Sequence, residues 1–256
     1  MKKIGPLNEK LIKRPYLYRI ELLERFYQIL DNKKIAFVKP EKWEDPLENI
    51  IFNARIIKNG KPYQHPAKKN IFALCWSYEG DSYGIWKIYT TKPNNDGITK
   101  RHLGVRITTK LDWLKHLTKK NKGEFYYGLV DYLPKYKLDK LPKDSTIIKA
   151  LQQEKAGKEH LKTLLIKRKS YTFENEVRLF YLKPENSKPN NPNFLQFVDI
   201  EPLQFISSLR FDPGMPYEEF QQHKEKLIYQ YGFRKTQITQ SSYYKKNNYI
   251  INLDKA

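Results

Sequence analysis

Glu174-Asn175-Glu176-Val177-Arg178-Leu179-Phe180-Tyr181-Leu182 is the stretch that decides how this chain reads. Two glutamates one residue apart open an apolar run broken only by Arg178. Residues i and i+2 of a strand point to the same side. The spacing therefore predicts Glu174 and Glu176 on one face at the entrance of a strand, with Arg178 on that face to orient them. Two carboxylates side by side in a chain of net charge +20 mark a place where positive charge develops or a hydroxyl is gripped. The plain alternative is a hairpin edge with two solvated acids.

The rest of the chain bears on that choice. Its 256 residues suffice for one domain with a full core, and 19 Tyr, 13 Phe and 4 Trp supply large apolar areas to bury. Lys plus Arg is 48 against 28 Asp plus Glu. A chain this basic repels itself when compact, and a polyanion relieves that; nucleic acid is the leading partner because phosphate contacts release counterions. A Lys-rich proteome gives the same composition without any polyanion. Cys75 is the only cysteine and the 5 histidines are scattered, so neither a disulfide nor a metal site is expected. Cys75 lies in Phe72-Ala73-Leu74-Cys75-Trp76 and reads as a small core residue. No secretory leader or stretch of 18 apolar residues is visible, which predicts a soluble cytoplasmic protein without membrane contact.

Periodicity predicts a mixture of strands and helices without βαβ alternation, hence an α+β class and one domain over 1–256 with a basic lead-in at 1–14. Strands are expected at Tyr16–Ile20, Ile35–Val38, Ile71–Trp76, Leu103–Ile107, Phe125–Tyr132, Phe194–Ile200, Gln204–Phe211 and Lys235–Thr239. Helices are expected at Glu21–Leu30, from Asp81 or Ser82 to Tyr89, around Leu111–Leu117 with Thr108 or Thr109 as cap, from Ser145 to about Lys167 with a break near Gly157, and at Pro216–Tyr231. Residues 58–70 read as an exposed loop and 183–193 as a flexible hairpin tip.

Tyr18-Arg19 on the first strand, Ser77 ending Cys75-Trp76-Ser77, and Glu174-Asn175-Glu176 come in the order of the Arg, Ser, Glu pattern. This resembles the ADP-ribosyltransferases, which split NAD in a cleft between two small sheets. A second resemblance spans nearly the whole chain: the Tyr-Arg strand, the helix, Ile35–Val38, Trp43-Glu44-Asp45-Pro46, Ile85-Trp86 with Tyr89, and Phe173 to Arg178. The set is similar to the bacterial domain of unknown function twenty-nine seventy-one, whose members often occur in phage-defence loci and some of which look like ADP-ribosyltransferase toxins. Glu44 stands where that family usually has Asn.

These resemblances imply two small, mainly antiparallel sheets around a central cleft, and an NAD-dependent enzyme acting as a defence toxin on nucleic acid, RNA foremost, held by an antitoxin or chaperone. Glu176 would stabilise the ribosyl cation, as a carboxylate does in glycoside cleavage. Glu174 would take the proton of the incoming nucleophile. Arg19 would pair with the pyrophosphate, and Ser77 would hold Glu176 or the nicotinamide ribose. Tyr18, Trp86 and Tyr89 would flank the dinucleotide, although plain core packing is the favoured reading of Trp86. Lys167-Arg168-Lys169 would draw a nucleic-acid backbone toward the glutamates, where Tyr171 and Phe173 stack an unpaired base. Two other readings stay open: a non-enzymatic nucleic-acid-binding defence module, and a transferase acting on protein.

Overall fold

The computed structural model describes residues 4–7, 15–93, 96–184 and 194–244. It is a mixed α and β structure built on one ten-stranded sheet, with three two-stranded ribbons among the described residues. The strands of the large sheet are β1 (Ile4–Pro6), β2 (Tyr16–Leu22), β3 (Lys34–Val38), β4 (Ile71–Ser77), β5 (Gly104–Lys110), β6 (Glu124–Leu129), β7 (Glu176–Leu182), β8 (Leu195–Asp199), β9 (Ser208–Phe211) and β10 (Ile238–Gln240). They lie in the order β1-β6-β7-β4-β2-β5-β9-β10. The path forks at β4. Its free edge takes β2 at the Ser77 end and β3 at Ala73, and β3 carries β8. A single forked sheet thus replaces the two separate small sheets expected from the resemblance.

β2 pairs along its whole length with β5, from Tyr16 opposite Lys110 to Leu22 opposite Gly104, but on its other edge meets β4 only where Tyr18 stands opposite Ser77. The pairing also extends the strand past Ile20, so the following helix, α1, begins at Leu23 and runs to Asn32. It buries Phe26, Ile29 and Leu30, which share one face at 3- and 4-residue spacing, and ends at Lys33 in the left-handed conformation.

β7 is buried along its whole length because both of its faces are covered. Val177, Leu179 and Tyr181 face a core shared with α1 and with α5 (Tyr217–Tyr229), through Phe26, Phe220 and Leu227. Phe180 and Leu182 face a second core with Ile147 of α3 (Ser145–Gln152) and Leu161 of α4 (Lys158–Thr163). Each such buried apolar side chain contributes about 1.5–3 kcal/mol. Further along this second face, α2 (Tyr83–Thr90) sets Ile85 and Trp86 against Ile20. Glu176 and Arg178 share the face of Phe180 and are buried like it.

Several expectations are corrected. The break expected near Gly157 separates α3 from α4, which Gly157 caps, but α4 ends at Thr163 rather than near Lys167; Lys167 lies in the short strand Ile166–Arg168, parallel to Asp131–Leu133. Thr108 and Thr109 continue β5 and cap nothing; β-branched residues suit a strand, and a 3-10 turn Leu111–His116 follows. The strand expected from Gln204 begins at Ser208, after the short helix Pro202–Phe205. Within the expected loop 58–70, Ile56–Lys58 and Lys61–Tyr63 form a hairpin and Pro66–Asn70 a 3-10 turn. Of the basic lead-in, Ile4–Pro6 is a strand parallel to β6, and 1–3 and 8–14 lie outside the described residues, as do 185–193 of the hairpin tip.

Candidate functional site

Glu174 and Glu176 do converge, though not by strand alternation. β7 starts only at Glu176; Glu174 ends a 3-10 turn, and Asn175 between them is left-handed at φ 44 and ψ 54. Asparagine tolerates that conformation better than most residues. The two carboxylates meet on Lys167, whose Nζ lies 2.6 Å from Glu174 Oε2, 3.2 Å from Glu176 Oε2 and 2.9 Å from Glu48 Oε1. Arg178 forks onto the same group: its Nε donates to Glu176 Oε1 at 2.8 Å, and its Nη2 to Glu176 Oε2 at 3.1 Å and Glu48 Oε2 at 2.6 Å. Its Nη1 donates to the Leu164 carbonyl at 2.5 Å, and the Trp43 ring centre lies 4.1 Å from its guanidinium. Gly128, opposite Arg178 on β6, permits this approach, since a Cβ there would fall on Leu165.

All five charged groups are buried, Arg178 at 0% and Glu176 at 3% exposure. Burial alone would push Glu176 up, but Arg178 and then Lys167 outweigh it and hold its carboxyl at about 2. Burial dominates at Glu174 and raises it despite Lys167, with Glu176 and Glu48 adding to the rise. The two glutamates are thus driven apart: one firmly ionised, the other nearer to neutrality. Lys167 is raised because its three carboxylates outweigh desolvation.

Across the strands, Tyr18, Ser77 and Glu176 stand in one lateral row on β2, β4 and β7. The resemblance has Ser77 holding Glu176 or the nicotinamide ribose; its hydroxyl instead donates to the Glu174 carbonyl at 2.5 Å and accepts from the Glu79 amide at 2.7 Å. It clamps the loop that carries the glutamates. Arg19 is drawn into the fork: Nη1 donates to the Cys75 carbonyl at 2.6 Å and Nε to Glu21 Oε1 at 2.5 Å. Burial raises the Cys75 thiol well above its ordinary range, reinforced by Glu176. Burial likewise raises the Tyr89 hydroxyl, with Glu174, Cys75 and Glu176 adding and Arg19 opposing. Tyr89 and Cys75 are therefore the groups that feel both the glutamates and Arg19.

Two hollows adjoin Arg19. A narrow crevice of about 20 Å³ is bordered by Tyr18, Arg19, Cys75, Ser77, Gly80 and Tyr89. A larger cavity of about 500 Å³ is lined by Arg19, Arg25, Ile29 and Lys34, with Val38 and Phe197 of β3 and β8.

The remaining candidates divide. Trp86 is 1% exposed and donates its indole N–H to Asp81 at 2.8 Å, so it is core. Lys167, expected to meet nucleic acid, is instead buried in the ion cluster, because strand pairing with Asp131–Leu133 turns it inward. Arg168 is half-exposed but paired to Asp45 at 2.7 Å. Lys169 and Phe173 are exposed, and the Tyr171 ring lies 6.4 Å from that of Phe173 and 4.6 Å from Lys167 Nζ. Sequence reasoning missed Glu48 and Asp45 as partners. Asp45 lies within the Trp43-Glu44-Asp45-Pro46 turn and Glu48 two residues after it, and Asp45 is buried while Glu44 is exposed.

No family model, curated protein or solved structure matches this chain. Among the described residues no cluster of His, Cys, Asp and Glu side chains is placed to hold a metal ion, and no helix is long and apolar enough to cross a membrane.

Proposed function

We propose that the protein is an NAD-dependent ADP-ribosyltransferase whose acceptor is nucleic acid, RNA foremost. The observation that carries this reading is the lateral row Tyr18–Ser77–Glu176 on three adjacent strands, with Arg19 beside it where the sheet forks. Transfer breaks the bond between nicotinamide and ribose, and nicotinamide leaves with the bonding pair. The anomeric carbon forms a new bond to an acceptor nitrogen or hydroxyl, which gives up its proton. A carboxylate held ionised in a buried site stabilises the ribosyl cation more as that charge grows, which lowers the barrier. Glu176, held at about 2, fits that role. Glu174, raised by burial, fits the proton acceptor. Arg25 and Lys34 around the fork cavity suit a pyrophosphate, with Arg19 shared between it and Glu21, the carboxylate that also lines the cavity.

The crevice of about 20 Å³ holds little more than one water and is smaller than a nicotinamide ring. Admission of the dinucleotide then requires the segment Glu79–Ser82 to move off Tyr18, against whose ring Gly80 is packed. The same narrowness favours a second reading, a binding module without catalysis, which needs only the net charge of +20. Incubation with NAD labelled in its adenylate half, together with RNA, DNA and protein fractions, separates the readings. Label on RNA supports the proposal, label on protein redirects it, and release of no nicotinamide with any acceptor leaves the binding module. A role as a defence toxin with a neutralising partner is tested by growth arrest on expression, which Glu176→Gln should relieve.

A further inference from the structure

A second constellation lies on the far side of Tyr18 from Ser77. The face of β2 and β5 that carries Tyr18 also carries Arg106 and Thr108, opposite Ile20 and Tyr18 in register. A groove of about 370 Å³ opens there, and the charged side chains lining it are Arg106, Lys110 and Arg234, with no carboxylate among them. Lys110 Nζ lies 5.7 Å from the Tyr16 ring centre and 5.3 Å from that of Trp113, and the Arg106 guanidinium 4.8 Å from that of Tyr18. Cations are thus interleaved with aromatic faces.

Two polar atoms in this wall have no partner. Arg106 is 7% exposed and Thr108 is 4% exposed, yet Arg106 Nε and Thr108 Oγ1 make no hydrogen bond. A buried polar group without a partner is costly, so each such atom calls for an ordered water, an ion or a ligand, and two in one groove wall mark a place to bind. Arg106 also stands opposite Arg210 in register, and burial with that like charge lowers it to about 10. An anion in the groove relieves both penalties.

The geometry points to this groove as the binding site for a phosphorylated, unpaired nucleotide of single-stranded RNA, its phosphate on Arg106, Lys110 and Arg234 and its base against Tyr16 and Trp113. Its purpose as an acceptor site rests on the transferase reading; its binding does not. Tyr18 and Arg106 border both this groove and the crevice that reaches Ser77. A strand seated here lies one aromatic ring from the row that ends at Glu176.

The test is fluorescence anisotropy with a labelled, 5′-phosphorylated single-stranded RNA octamer, in the absence of NAD, against the full chain and two variants. Lys110→Gln with Arg234→Gln changes two groups outside the core, and Trp113→Ala removes a stacking face. The charge variant should bind about tenfold more weakly and lose about 1.4 from the slope of log affinity against log salt, at roughly 0.7 per lost phosphate contact. The Trp113 variant should bind about tenfold more weakly or worse, the size of one lost stacking contact. Unlabelled mononucleotide should compete weakly and inorganic phosphate more weakly still. Unchanged affinity in both variants overturns the assignment. So does displacement by inorganic phosphate as effective as by nucleotide, which would mark a simple anion site, or tight displacement by NAD, which would give the groove to the dinucleotide. Because NAD is absent, this assay reads binding alone: RNA binding here combined with no label on RNA in the separate NAD experiment would sink only the enzymatic reading, and loss of binding here would sink only the groove.

Discussion

Removing the Arg178 guanidinium is the sharpest test of the buried charge cluster. Arg178→Met keeps an unbranched apolar stem but deletes the guanidinium over Trp43 and every contact to Glu176 and Glu48. The magnitude comes from Glu176 itself. Its carboxyl sits at about 2 against an ordinary 4.5; at 1.36 kcal/mol per unit that depression corresponds to about 3 kcal/mol of stability at neutral pH. Loss of one partner of a buried pair costs about 3–5 kcal/mol, in agreement. Urea unfolding at pH 7.5 should show that loss, with a Tm lower by about 10 °C for a chain of this size. The sign with pH follows. In the native protein the Glu176 contribution is complete above the unfolded value near 4.5 and is lost as pH falls through about 2. In the variant, burial acts unopposed by the guanidinium and raises the carboxyl, so the variant loses stability as pH rises. The gap between the two proteins should therefore narrow between pH 7.5 and pH 4. A variant within 1 kcal/mol of the parent, or a gap that widens on acidification, refutes the reasoning.

Three further outcomes are expected. Asp144→Ala removes the cap whose carboxylate accepts from the Thr146 and Ile147 amides, and should cost about 1 kcal/mol in chemical denaturation without altering RNA binding. His160 is kept unprotonated by burial and by His65, its value lowered to about 4, so the folded state refuses a proton that the unfolded chain accepts. Stability should fall as pH drops from 6.5 toward 4, and His160→Phe should flatten that slope. The Cys75 thiol, raised by burial and by Glu176, should resist a disulfide-exchange reagent at pH 8 in the native protein and react at once in urea. Rapid native labelling would place it outside the cluster.

Most elements were legible because their patterns are local. α1, α2 and α5 follow from apolar spacing, and Gly232 closes the last of these at φ 78. β7 announces itself as an apolar run with charged punctuation at Glu176 and Arg178. What could not be read was pairing across distance. Lys167 belongs to a basic triplet and looked solvated; only its parallel pairing opposite Tyr132 turns it onto the glutamates. Glu48 reaches Arg178 across 130 positions of sequence, a contact no local rule encodes. The fork is a matter of pairing between distant strands: β7 runs along one edge of β4, while on the other edge β2 meets it only at Ser77 and β3 only at Ala73. Arg106 and Thr108 gave no motif at all; their significance is that both are buried with a polar atom unsatisfied.

The most direct test of the account is the transfer reaction itself, run with adenylate-labelled NAD and single-stranded RNA on the parent protein and on Glu176→Gln. The variant's circular dichroism and Tm should be recorded beside the assay to show that it is folded. The account expects label on RNA with the parent and none above background with the folded variant. Equal labelling by both proteins, or release of no nicotinamide by the parent under any acceptor, would contradict it.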